Sequence, residues 1–320
     1  MKTCTFSIAL LVSAFFLSCS ENKKTARTDH IITEKDLVPE GVAFDPATQT
    51  IFISSTYKKK IVAIDKEGKV SDFIKEGQDD IKSVIGMEVD SKRNCLWAIS
   101  SEANEVLLLK DPGDLQWRSS VYQYSLKDGK LIKKFELNED SVFLNDLTVS
   151  DDGIVYITES PGRIVYRITP GKDSLEYFVG PLPSQFINGI CFADKPGTLF
   201  VCSEKGIFSI DVNTKEYFLL PSGIIDAGDI DGLAFHKNYF IAHQGSKVTR
   251  LYLSDDRDSI IRSDTLDSGK EFDSSTTGEV SEDHYYYIVN SQLQSGADYT
   301  MMKLKPADSL ENIIIRKIKL

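Results

Sequence analysis

Apolar positions along the chain gather in short alternating or near-continuous runs, each entered through a small or polar corner. The stretch Phe186-Ile187-Asn188-Gly189-Ile190-Cys191-Phe192 sets the pattern. Relatives of it stand at Glu40-Gly41-Val42-Ala43-Phe44, Ile85-Gly86-Met87-Glu88-Val89, Asn145-Asp146-Leu147-Thr148-Val149, Asp231-Gly232-Leu233-Ala234-Phe235 and Thr277-Gly278-Glu279-Val280. A polar turn running into an apolar stretch is how a chain enters a buried strand. The glycine, or Asp146 in the third unit, falls at positions 41, 86, 146, 189, 232 and 278, in steps of 45, 60, 43, 43 and 46 residues. Six units of that length predict an all-β chain folded as a six-bladed propeller.

A second alternating run follows each corner: Thr50 to Ser55, Cys95 to Ser100, Val155 to Glu159, Leu199 to Ser203, Tyr239 to His243 and Tyr286 to Asn290. Asp45-Pro46, Asp151-Asp152-Gly153 and Lys195-Pro196-Gly197 supply turn chemistry between first and second runs. Third runs such as Ile61 to Asp65 come next, and then more polar fourth runs such as Leu131 to Leu137 and Asn312 to Lys317. That gradient predicts four-stranded blades whose first strand lines the axis and whose last is the wet rim. The longest step carries Lys110 to Arg118, an expected insertion on one face; its Trp117 is a candidate lid residue or packs against its own blade.

Ahead of the repeats, Phe6 to Leu17 is apolar and Ser18-Cys19-Ser20-Glu21 turns abruptly polar. The run is shorter than the ~20 apolar residues that span a bilayer, so residues 1–18 read as an export signal. Cys19, after a small residue at the end of the apolar core, resembles the lipidated cysteine of bacterial lipoproteins, although Phe16 stands where that pattern prefers Leu. The expectation is a lipid anchor at Cys19 holding the protein to a membrane of the bacterial cell envelope, a tether over residues 19–30, and a propeller over residues 31–320. Net charge is −11 and no basic patch interleaved with aromatics occurs, which excludes a nucleic-acid partner. Cys95, Cys191 and Cys202 lie in apolar runs and read as buried thiols rather than a disulfide framework. A monomer is expected.

The residues just before the corner glycine, or before Asp146, are Glu40, Ile85, Asn145, Asn188, Asp231 and Thr277. Innermost strands surround one axis, so side chains at equivalent corners converge. Glu40, Asn145, Asn188 and Asp231 then form a set of two carboxylates and two amides, which suits a hard divalent cation. Ca²⁺ comes first, with Mg²⁺, Mn²⁺ or Zn²⁺ as alternatives. Asn-Gly and Asp-Gly are also ordinary turn dipeptides, but that explains neither Glu40 nor the shared phase.

These corners, together with Asp152-Gly153-Ile154-Val155-Tyr156-Ile157-Thr158, make residues 38 to 290 similar to the gluconolactonase and regucalcin propellers, with paraoxonases as more distant relatives. The resemblance implies that Glu40, Asn188 and Asp231 hold a divalent metal, with Asn145 beside it as ligand and substrate contact. It further implies a hydrolase that opens a lactone or related ester, in which Asp231 is also the base acting on water. Sugar-lactone members carry an Arg where this chain has Phe143, so Phe143 points to a more apolar or aromatic ligand. His243, ending a strand near Asp231, is a candidate substrate contact or proton shuttle, or else a surface strand end. The chain has no Gly-x-Ser-x-Gly elbow, phosphate loop or metalloprotease pair. The competing function class is a non-catalytic envelope propeller that binds a ligand or partner at the same cation.

Overall fold

The computed structural model describes residues 27–102, 118–137, 141–193, 197–298 and 303–320. Cys19 and Trp117 lie outside the described residues. Within them the repeats fold as six four-stranded antiparallel sheets around one axis, a six-bladed β-propeller. The innermost strands are Val42–Asp45, Ser83–Asp90, Leu144–Val149, Ile187–Phe192, Leu233–His236 and Gly278–Ser281. Three or four strands of each blade follow one another in the chain, and the alternation of each sends one row of side chains to either neighbouring blade.

Packing follows from that alternation. One apolar cluster fills each of the six interfaces between adjacent blades, as where Ile51, Ile53 and Val62 of blade 1 meet Tyr286, Ile288 and Ile315 of blade 6. Outer strands lie at the rim, and Tyr217–Leu219 of blade 4, although apolar, is exposed along its whole length.

Two expectations change at the ring closure. Arg27–Ile32, whose first residues were expected in the tether, is the outermost strand of blade 6. It pairs antiparallel with Ile313–Lys319, from Arg27 opposite Ile318 to Ile32 opposite Ile313. The run ending at Lys317, expected as the fourth strand of blade 6, is therefore the third. Arg316, 1% exposed, fixes the join: its guanidinium donates to both carboxylate oxygens of Asp29 at 2.7 and 2.9 Å, and also to Asp267 and Glu271. The first and last described strands thus share one sheet.

The corner glycines have a packing cause rather than a conformational one. A Cβ on Gly41 would lie 2.1 Å from the Ile85 carbonyl oxygen, one on Gly86 2.6 Å from that of Asn145, and one on Gly232 2.5 Å from that of Thr276. Each of these three corners presses on the corner of the next blade, whereas a Cβ on Gly278 would meet Tyr285 and Tyr286 of its own blade, so the recurrence records crowding close to the axis.

Candidate functional site

Local irregularity delivers the corner side chains to the axis. In blade 3, Leu144 pairs with Glu159 and Leu147 with Ile157, so the first strand holds one extra residue around Asn145-Asp146. Blade 4 repeats this at Asn188-Gly189 and blade 2 at Ile85-Gly86. A bulge of this kind re-aims a side chain that regular alternation would direct elsewhere. In blades 1 and 5 the corner immediately precedes the strand. There Glu40 is pinned by its backbone N–H to Ser54 Oγ at 3.3 Å and by its carbonyl, which accepts from Thr276 Oγ1 at 2.8 Å. Asp231 donates its N–H to the His243 carbonyl and accepts from the Gly189 N–H, both at 2.9 Å.

Glu40, Asn145, Asn188 and Asp231 line one cavity of about 340 Å³ at the axis. Asn145 Nδ2 donates to Ser160 Oγ at 3.0 Å, and Asn188 Nδ2 donates to Asp231 Oδ1 at 2.6 Å. One N–H of each amide is thereby used, and both amide oxygens remain as acceptors. The second oxygen of Asp231 and the Glu40 carboxylate take no hydrogen bond from the described residues. Such a donor set is all oxygen and carries two negative charges, the chemistry of a hard-cation site. No three His, Cys, Asp or Glu side chains of the described residues converge closely enough to hold an ion by themselves, so a cation here would also need the two amides.

Burial pushes the Asp231 carboxyl up to about 7; the bond from Asn188 opposes the shift and the like charge of Asp146 adds to it. Glu40 is driven well above the usual carboxylate range by burial and by Asp231 and Asp146. Two carboxylates confined with no positive partner among the described residues are costly, and either a proton or a cation relieves them.

A second group of acids lies further along the axis. Asp146 accepts the Leu147 N–H at 2.9 Å and the Ile190 N–H at 3.2 Å. It lines a second space of about 250 Å³ with Glu88, Glu279 and Cys191. Burial raises Asp146 to about 7 and Glu88 to about 8.

Phe143, the candidate substrate contact, lines the first cavity and is 3% exposed. His243 does not line it. Its backbone adjoins Asp231, but its ring is fully buried between blades 5 and 6, with Nδ1 2.8 Å from Ser275 Oγ and Nε2 2.6 Å from Tyr285 OH. Burial holds that imidazole down to about 3, so it is a neutral packing group here rather than a surface strand end or a shuttle. The corner pattern missed Phe186, Glu204, Asp229 and Leu293, which also line the cavity from loops and strand ends.

No sequence-family model matches the chain, nor does any curated protein. Solved structures do. A gluconolactonase from Xanthomonas campestris superposes with a TM-score of 0.59 at 14% identity, over 90% of this chain and 89% of that one. Regucalcin from Agrobacterium tumefaciens, a calcium-binding protein, gives 0.59 at 13%, over 91% and 94%. A candidate glucose dehydrogenase from Thermus thermophilus gives 0.60 at 14%, over 92% and 100%. Identities this low show a shared fold.

Proposed function

We propose that the protein is a divalent-cation-dependent hydrolase that opens a lactone or related ester at the axial cavity. The observation that carries the reading is the meeting of Glu40, Asn145, Asn188 and Asp231 around one cavity with their remaining oxygens free of hydrogen bonds from the described residues. The fold shared with gluconolactonase and regucalcin supports it. Ca²⁺ is the first choice of ion, since oxygen donors of mixed charge suit it.

The ion, when bound, supplies Lewis acidity toward a carbonyl oxygen. Everything else comes from the chain. Asn188 holds one Asp231 oxygen through its NH₂, which fixes the carboxylate plane and leaves the other oxygen to accept a proton from water. Ser160 fixes Asn145 in the same way. An ionised Asp231 is needed for the proton transfer, and a cation beside it lowers its proton affinity, so the same charge that fills the site also readies the base. Ile85, Phe143 and Ile230 wall the cavity with buried apolar surface and limit water around the reacting group.

Two substitutions test the division of roles. Asp231→Asn keeps an oxygen ligand but loses the base, so hydrolysis should fall ~100- to 10,000-fold and stay low at any cation concentration. Glu40→Gln weakens the ion alone, so excess cation should restore part of the rate. Equal rescue of both variants would remove Asp231 from the chemistry. A cation-binding wild type that opens no lactone or ester would make the protein a binding propeller.

A further inference from the structure

Phe186 is 37% exposed at the axial cavity, whereas the wall residues Ile85, Phe143 and Ile230 are 1%, 3% and 2% exposed. Its position is set from a distance. The Glu204 carboxylate accepts the backbone N–H of Gln185 at 2.7 Å and that of Phe186 at 3.2 Å, clamping the loop that leads into Ile187–Phe192 and its Asn188. A charge-assisted pair of backbone bonds of this kind orders a segment that lacks a ladder partner. The loop therefore presents an aromatic face that is still partly in water, next to apolar walls that are not. Burying that face against a ligand is favourable in proportion to the area covered.

Charge narrows the ligand further. Glu204 and the exposed Asp229 add carboxylates to the cavity lining, which among the described residues contains no Lys, Arg or His. No described lining side chain there is cationic, and on the cation-site reading the neutral polar ones, Asn145 and Asn188, turn their remaining oxygens to the ion rather than to a ligand's hydroxyls. We infer that the cavity takes an apolar, uncharged lactone or ester, with Phe186 setting that specificity and Glu204 acting as its positioning residue. The inference rests on the hydrolase reading above and sharpens it.

Steady-state kinetics of the cation-loaded full chain with γ-butyrolactone, γ-nonalactone and glucono-δ-lactone test it. Each methylene buried is worth roughly fourfold in binding, so burial of two of the five added ones gives γ-nonalactone at least a ~10-fold advantage in kcat/KM over γ-butyrolactone. That advantage should enter through KM. Phe186→Ala should cost the γ-nonalactone reaction about tenfold more than the γ-butyrolactone reaction, an aromatic contact surface having been removed. Glu204→Gln should act in the same direction but less, again in KM, and calorimetry should show cation affinity retained in both variants. A chain-length preference untouched by Phe186→Ala, or a wild-type preference for glucono-δ-lactone, would overturn the inference. If no lactone is opened, calorimetric binding of γ-nonalactone separates the two ideas. Binding that is lost in Phe186→Ala upholds the apolar site and ends the hydrolase reading; absence of binding ends both.

Discussion

Replacing Glu88 by Gln should make the cation-free protein more stable, by an amount that grows with pH. Glu88 sits in the second axial space, where its Oε1 accepts the Val149 N–H at 3.0 Å. Burial, opposed by that bond and by the Thr148 hydroxyl and reinforced by Asp146 and Asp90, lifts its carboxyl from the usual 4.5 to about 8. The sign follows from proton binding. Between pH 4.5 and 8 the folded state keeps a proton that the unfolded chain has released, so stability is full below 4.5 and is lost as pH rises through 8. A shift of that size corresponds to about 5 kcal/mol at most, at 1.36 kcal/mol per unit. Gln keeps the shape and the acceptor for Val149 but cannot ionise. Guanidinium unfolding with chelator present should give wild type and Glu88→Gln nearly equal stability at pH 4.5, and a gap of about 3 kcal/mol in favour of the variant at pH 7. The gap should level off near pH 9. A difference that is flat across this range, or a variant less stable at high pH, would refute the claim that an uncompensated carboxylate sits on the axis.

Stripping the axial cation should lower the melting temperature at neutral pH, since a ligand at a hundred times its dissociation constant adds ~2.7 kcal/mol, and Asn188→Ala should abolish the response in differential scanning calorimetry. Arg316→Met leaves Asp29, Asp267 and Glu271 without their shared partner and should cost ~3–5 kcal/mol. Hydrogen exchange should show the loss first at residues 28–32 of the closing strand. If residues 1–18 act as an export signal and Cys19 is lipidated, protein made from the whole sequence in a bacterium should fractionate with membranes and carry lipid mass, and Cys19→Ala should release it or leave it unprocessed.

The propeller was legible because axial crowding and inter-blade packing both write to the sequence with the same period. Gly41, Gly86 and Gly232 are glycine since the next blade's carbonyl stands where a Cβ would be. The closing strand was not legible: Arg27, Thr28 and Asp29 are polar rim residues, and their partners lie near the other end of the chain. Phase alone brought Glu40, Asn145, Asn188 and Asp231 together, although the bulges that aim two of them leave no signal beyond a residue out of step. His243 shows the limit of reasoning by adjacency. Its backbone does touch Asp231, but period-two alternation turns its ring into the interface with blade 6. Phe186 opens the stretch that sets the repeat, but its position there gives no sign of a cavity wall, and Leu293 belongs to a connecting segment with no periodicity to read.

Lactone hydrolysis followed through one cycle of chelation and reloading tests the central claim most directly. Wild-type protein stripped of divalent ions should lose its activity on a lactone panel, regain it on titration with Ca²⁺ or another hard cation, and show a saturation midpoint equal to the cation dissociation constant measured by calorimetry. Turnover that persists in protein shown by metal analysis to hold no divalent ion, or a fully loaded protein that opens none of the panel, would contradict it.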